Sequence, residues 1–112
     1  MAYDEGIEFR IDELAGRWRG FSKKNMFGGI GYLLHGNMCF GIWKDSLVVR
    51  CGPDRYVDLL EQPHVDLFDI TGKAMTGWVM VAPDGFLTDA ELKAWLETAK
   101  TFVRGLPKKS NR

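Results

Sequence analysis

Residues 26–51, MFGGIGYLLHGNMCFGIWKDSLVVRC, decide the fold of this chain. Gly36 and Asn37 form a typical hairpin turn sequence and residues 44–46 form a second turn, so the segment divides into three apolar runs. The glycines of the first run disfavour a helix but permit close backbone approach in a strand. We therefore predict a meander of three antiparallel strands, over residues 26–34, 38–43 and 47–51.

The two predicted turns assign the side chains of the meander to two faces. One face would carry Met26, Ile30, Tyr32, Leu34, Cys39, Trp43, Leu47, Val49 and Cys51, and the other would carry Phe27, Leu33, Met38, Phe40, Ile42, Val48 and Arg50. Both faces are apolar, so helices must cover one face and something else must cover part of the other. Helices of the same chain or a second copy could do so, and we expect a homodimer.

The rest of the chain supplies three helices and two strands. An apolar stripe at Ile7, Ile11, Leu14, Ala15 and Trp18 predicts a helix over about residues 4–19. A short helix should begin at Pro53 and stop before Pro63. Residues 67–70 and 78–82 read as strands, and a capping-box pattern at Thr88 and Glu91 begins a last helix that reaches about Leu106.

These elements predict an α+β domain of order α-β-β-β-α-β-β-α, with a five-stranded antiparallel sheet and flanking helices. The length of 112 residues suits one domain, which we place at residues 1–107, followed by a basic disordered tail at 108–112. The acidic N-terminus does not resemble a signal peptide, and no apolar run is long enough for a membrane helix. With only two cysteines, a cytoplasmic protein with reduced thiols is expected.

The charges are balanced in number but grouped along the chain. Fifteen Lys and Arg residues match fifteen Asp and Glu residues, so no global positive field would attract nucleic acid. The favoured interpretation of the basic groups is solvated charge at helix ends, and the alternative is a contact for phosphate or an acidic protein. The candidate interaction residues are Arg17, Arg19, Lys23, Lys24 and Arg50.

No group of residues in the sequence identifies a reaction. The glycines around Gly29 do not complete a dinucleotide-binding motif, and the Gly72-Lys73 pair does not complete a phosphate-binding loop. His35 and His64 read as surface residues without the partners of a catalytic or metal site. We therefore expect no catalytic residue, no metal and no cofactor.

Two further arrangements have a structural and a functional interpretation. Cys39 and Cys51 should lie opposite each other on neighbouring strands, and we interpret them as buried hydrophobic residues rather than a redox pair. Phe27, Phe40 and Arg50 could form a platform that stacks nucleic-acid bases, although core or dimer packing explains the aromatic rings better. The four tryptophans fit packing between helices and sheet.

Two separated blocks resemble one known family. Residues 24–38, KNMFGGIGYLLHGNM, closely resemble the signature hairpin of the TfoX/Sxy N-terminal domain family, and residues 68–81, FDITGKAMTGWVMV, look like its second signature. The last helix, which ends in RGLP at residues 104–107, is similar to the closing helix of the family. The resemblance implies a secretion-chaperone-like α+β fold. The signature residues with a structural role would be Gly28, Gly29, Gly31, Gly72, Gly77 and Trp78.

The resemblance also implies a function. The namesakes of the family regulate natural competence together with the cyclic-AMP receptor protein, and they carry a second, helical domain that we expect this chain to lack, since it ends soon after Pro107. A non-enzymatic regulatory or adaptor module is expected, with a protein of the transcription machinery as a candidate partner. The alternatives are weak direct nucleic-acid binding through the basic residues, and an enzyme or small-ligand protein with a pocket between sheet and helix.

Overall fold

Three α-helices, one short 3-10 helix and six strands make up the fold of the computed structural model, which describes residues 3–26 (without the Met26 side chain), 28–69 and 75–107. The helices are α1 (Glu5–Ala15), α2 (Pro53–Leu60), α3 (Asp89–Val103) and the 3-10 helix (Pro83–Phe86). The strands are β1 (Phe21–Met26), β2 (Gly29–Leu34), β3 (Asn37–Trp43), β4 (Ser46–Arg50), β5 (Val65–Leu67) and β6 (Trp78–Val81). The α+β class is confirmed, but the sheet has six strands where five were predicted.

All neighbouring strands are antiparallel, in the order β1-β2-β3-β4-β6-β5. Strands β1 to β4 follow one another as hairpins, and the chain then passes through α2 and β5 before β6 returns to pair with β4. Residues from all three helices belong to one buried cluster with residues of the sheet. The sheet therefore has a covered face, which carries this core, and an open face on its other side.

Strand β1 is an element that was not predicted from the sequence. Its sequence, FSKKNM, lacks the apolar alternation of a half-buried strand, and residues 22–25 are exposed. Because β1 is an edge strand, it needs only one apolar anchor, which is Phe21 stacked on Tyr32 at a ring-centroid distance of 5.4 Å. Of the predicted strand over residues 26–34, residues 29–34 form β2 and residue 26 ends β1, and the predicted helix over 4–19 ends at Ala15.

The turn between β2 and β3 lies one residue earlier than predicted. His35 and Gly36 occupy it with φ values of 52° and 84°, and two positive φ values match the turn type that suits the twist of a hairpin. Asn37 instead belongs to β3, where its buried side chain donates a hydrogen bond of 2.9 Å to the carbonyl of Pro107. The second turn contains Lys44 and Asp45, not three residues.

A β-bulge at Cys39 changes the two faces of the meander. Leu33 pairs with Met38 and Tyr32 pairs with Phe40, so Cys39 is an extra residue on β3. Phe40 therefore lies on the covered face with Tyr32, and so does its neighbour but one, Ile42. The predicted faces were wrong at these two positions, and also at Trp43, which the open face carries instead.

The same shift separates the two cysteines in register. The two cysteines were predicted to lie opposite each other. Phe40 instead pairs with Val49, so Cys39 does not lie opposite Cys51, which follows the end of β4. Both thiols are free and buried. Burial raises the pKa of Cys39 to about 12, and burial also raises the pKa of Cys51. Because the thiolate is the reactive form, these environments favour the structural interpretation of both residues.

The other elements follow the prediction with shifted ends. Thr88 caps α3 and forms the predicted capping box with Glu91, whereas the helix stops at Val103. Helix α2 begins at Pro53 as predicted. Strand β5 covers residues 65–67 rather than 67–70, and residue 70 lies outside the described part, as do Phe27 and the tail at 108–112.

Tyr32 leads to a prediction about stability. The residue is fully buried among Phe21 and Phe40, and its hydroxyl has no hydrogen-bond partner among the described residues. Burial raises the pKa of this hydroxyl, so it is neutral and unpaired at all ordinary pH values. We expect Tyr32→Phe to raise the free energy of unfolding by about 1 kcal/mol, because an unpaired buried polar group is removed. Urea denaturation of both proteins measures this, and a loss of stability would contradict it.

Candidate interaction site on the open sheet face

One residue from each strand forms a row across the open face of the sheet. Backbone pairing joins each member to the next, in the order Lys24, Gly31, Gly41, Val48, Met80 and Asp66. We call these six residues the central row. Its ends are exposed and oppositely charged, and glycines occupy two of its four inner positions.

A cavity of about 270 Å³ lies beside the two glycines of the central row. Gly31 pairs directly with Gly41, so two adjacent strands present no side chain at this point of the open face. The side chains around the gap are Met38, Trp43, Val48, Phe68, Met75 and Trp78. Every lining residue in the described ranges is apolar or glycine.

Phe68, Met75 and Trp78 form one wall of the cavity. Phe68 packs on Trp78 with ring centroids 5.9 Å apart and is only 4% exposed, although it follows the edge strand. The backbone amide of Met75 donates a hydrogen bond of 3.1 Å to the carbonyl of Phe68, which holds these two wall residues together. The second signature block thus contributes apolar surface to the open face.

Arg50 lies at the end of β4, next to this wall. Its guanidinium carbon is 5.5 Å from the ring centroids of both Trp78 and Phe102, and Nη1 donates a hydrogen bond of 3.2 Å to the carbonyl of Met38. No carboxylate of the described ranges lies within ion-pair distance of it. These contacts hold Arg50 as a packing residue between two aromatic rings, apart from the other predicted basic residues.

The remaining basic candidates do not form one patch. Lys23 points to the covered side, where Nζ is 2.7 Å from Glu8 Oε2 and 2.9 Å from Asp12 Oδ2. Lys24 lies on the opposite face of the same strand, because successive side chains alternate. Arg17 and Arg19 are exposed in the segment after α1.

The ion pairs of Lys23 lead to a prediction about pH. The hydrogen bond from Lys23, with a further one from Tyr3, holds the pKa of Glu8 below its ordinary value. A lowered folded-state pKa means that Glu8 stabilises the fold above its unfolded pKa, near 4.3, and that this contribution is lost as the pH falls through the folded value. We expect Glu8→Gln to cost up to about 1 kcal/mol at pH 7 and almost nothing near pH 2. A difference that stays constant in urea denaturation at both pH values would contradict this.

A polar depression of about 500 Å³ lies between α2 and α3. Its titratable residues include Arg55, His64, Asp84 and Glu91. The carboxylate of Glu91 is already committed to the capping box of Thr88, and hydrogen bonds from Thr88 lower its pKa. No group of three potential metal-ligating side chains occurs in the described part of the chain. This depression therefore does not present a recognisable catalytic arrangement.

The comparison with protein families decides which family this is. The TfoX N-terminal domain family matches residues 12–103, which is most of the chain. The chain belongs to the TfoX N-terminal domain family. The resemblance of the two signature blocks is thereby confirmed. A comparison with curated proteins gave no match. Of the described helices, none has the length and hydropathy needed to cross a membrane.

The signature residues of the TfoX domain have different structural roles. Gly28 forms the turn between β1 and β2 with a φ of 74°, and Gly77 has a φ of 91°. Gly29 faces the carbonyl of Ile42 so closely that a β-carbon would overlap it. Gly31 belongs to the central row, and the structure places Trp78 in the cavity wall. Gly72 lies outside the described residues.

The cavity itself has no signal in the sequence. Its floor depends on the pairing of Gly31 with Gly41, and the predicted register did not pair these two residues. Phe40, which was a candidate for base stacking, is fully buried and cannot contact a nucleic acid. Trp43 and Trp78 line the open face rather than packing between helices and sheet. The only sequence signal for the site was the apolar character of both faces.

Proposed function

We propose that this TfoX domain is a non-enzymatic regulatory or adaptor module that acts through protein–protein contacts made by the open face of its sheet. The observation that carries this proposal is the apolar cavity over Gly31 and Gly41. Met38, Trp43 and Trp78 are half-buried around the cavity and Met75 is exposed. Accessible apolar surface of this kind is typical of the centre of a protein interface, where charged residues are depleted. The described lining residues offer no acid, base or nucleophile.

The size of the cavity supports a protein partner. Its volume of about 270 Å³ lies just below the range of about 300–1,000 Å³ that is usual for sites enclosing small-molecule ligands. One large apolar side chain would fill most of it. The regulatory part of the proposal is supported by the family, since its namesakes act together with a transcription factor.

Nucleic-acid binding has less support than it had from the sequence. Two carboxylates already neutralise Lys23, Arg50 is held between aromatic rings, and Phe40 is in the core. A base-stacking surface needs exposed aromatic rings beside free cations. The observed placement of these three residues favours protein contacts instead.

Site-specific crosslinking in living cells tests the proposal. We would replace Met38, beside the cavity, with the photoreactive residue p-benzoylphenylalanine, and as a matched control make the same replacement at Val57, which is 62% exposed on α2. Light should produce protein-sized adducts at position 38 and few or none at position 57. Adducts that are equal at the two positions, or absent from both, would refute an interaction surface on the open face.

A further inference from the structure

The residues of the central row are complementary, in charge and size, to the same row read in the opposite direction. Read from β1 to β5, it contains a cation, two glycines, two larger apolar residues and an anion: Lys24, Gly31, Gly41, Val48, Met80 and Asp66. Read in the opposite direction, each cation meets an anion and each glycine meets a larger side chain. Such complementarity is what a surface needs in order to bind a copy of itself.

We propose that the open face binds a second copy of the chain, open face to open face, about a two-fold axis parallel to the strands. This inference rests on the proposed function and names the partner of the same face. Packed sheets keep their strands within about 30° of each other at a separation of about 10 Å. A two-fold axis along the strands, between β3 and β4, therefore lays the central row of one copy in reverse order over that of the other.

Shape complementarity follows from this axis. Met80 of the second copy lies over Gly31. Val48 of the second copy comes over Gly41 in the same register, but it is only 5% exposed within its own chain, so Met80 is the side chain that reaches the hollow. The glycines leave the cavity of about 270 Å³ on one half of the face, and Met80 is half-buried on the other half. Methionine is unbranched and adapts to irregular spaces, so it suits this hollow. Each copy thus offers both a hollow and a side chain to fill it.

Charge complementarity selects the direction of the axis. In the proposed dimer Lys24 lies opposite Asp66 of the second copy, and the pair occurs twice. Neither residue has an ion-pair partner in the described part of its own chain. A two-fold axis running across the strands would instead place Lys24 against Lys24, which is repulsive.

Charge reversal combined with mixing tests the arrangement. Lys24→Asp and Asp66→Lys would be made separately, with Lys93→Asp on α3 as the control, and sedimentation equilibrium would measure the dimer dissociation constant of each. Each substitution changes both pairs of a dimer from attraction to repulsion, so each should raise the dissociation constant by about tenfold or more. Lys93→Asp should leave it unchanged.

The decisive result is expected when the two weakened variants are mixed. In a dimer of one Lys24→Asp chain and one Asp66→Lys chain, both opposing pairs are again of opposite charge. The mixture should therefore form heterodimers with nearly the original dissociation constant, which a misfolded variant could not do. Thermal denaturation of each variant checks folding independently.

Several outcomes would overturn the inference. These are a monomeric wild-type chain at about 100 μM, a dimer that Lys24→Asp does not weaken, and failure of the two variants to associate on mixing. The crosslinking experiment shows whether only the dimer is wrong or whether the proposed protein–protein function is wrong as well. An adduct at position 38 with a different protein, and none of twice the chain mass, would leave the proposed function standing and remove the second copy.

Discussion

Replacing Phe40 with alanine should lower the free energy of unfolding by about 3–5 kcal/mol, the range usual for removing a buried phenylalanine ring. Phe40 is fully buried, and its ring contacts Trp18, Phe21 and Tyr32 at centroid distances of 5.0–6.0 Å. The surrounding rings come from residues 18–21 and from β2 and also pack on one another, so alanine would leave a cavity among them. Urea denaturation followed by tryptophan fluorescence measures the change.

Leu33→Ala is the control for Phe40→Ala. The sequence-based face assignment places Leu33 and Phe40 on the same face, whereas the bulge at Cys39 separates them in the structure. Leu33 is half-buried on the open face, so its truncation should cost about 1 kcal/mol. Equal losses for the two variants would mean that β3 lacks the bulge and that the covered face has been wrongly assigned.

Gly52→Ala should also destabilise the fold strongly, by about 3 kcal/mol or more. Gly52 precedes α2 with φ and ψ of 86° and 158°, a conformation that is essentially restricted to glycine. A β-carbon there would overlap the ring of Phe102, which also contacts the guanidinium of Arg50. Backbone strain and overpacking therefore add to each other. Thermal and urea denaturation would both detect the loss.

Gly28→Ala separates the two causes. Gly28 also has a positive φ, of 74°, but a β-carbon there would meet no atom within 4 Å. Only the backbone strain should remain, at about 1–2 kcal/mol. If Gly28→Ala were as damaging as Gly52→Ala, the contact with Phe102 would not be the cause of the larger effect.

Most of the fold could be predicted because its signals are local. The buried stripe of α1, the proline that begins α2 and the capping box of α3 each involve residues only a few positions apart. Strand β1 was missed because an edge strand with one anchor, Phe21, has little periodicity to detect. The polar residues 22–25 are tolerated in an edge strand, because that strand is exposed to solvent, and they show no alternation of apolar and polar positions.

Much less of the candidate site could be predicted. Lys23 and Lys24 are adjacent in sequence and looked like one basic group, yet α1 supplies carboxylates to the first and the open face presents the second. The sequence placed Arg50 on the same face as Val48, which the register confirms, but its position between Trp78 and Phe102 depends on α3. Contacts between distant segments of the chain decide which of these charged side chains are free to contact a partner.

The sequence by itself determined the class of the fold, the family and the presence of two apolar faces, because composition, periodicity and signature blocks are properties of the chain alone. Only the tertiary structure decided the register. The turn shifted by one residue changes which residues pair but not the faces on which they lie. The bulge at Cys39 moves the following residues of β3, including Phe40, Ile42 and Trp43, to the face opposite the predicted one. The two-residue second turn then returns Leu47 and Val49 to their predicted face. Burial of Phe40 and the hydrogen bond from Asn37 to Pro107, 70 residues away, favour this register. The glycine-floored cavity exists because that register pairs Gly31 with Gly41.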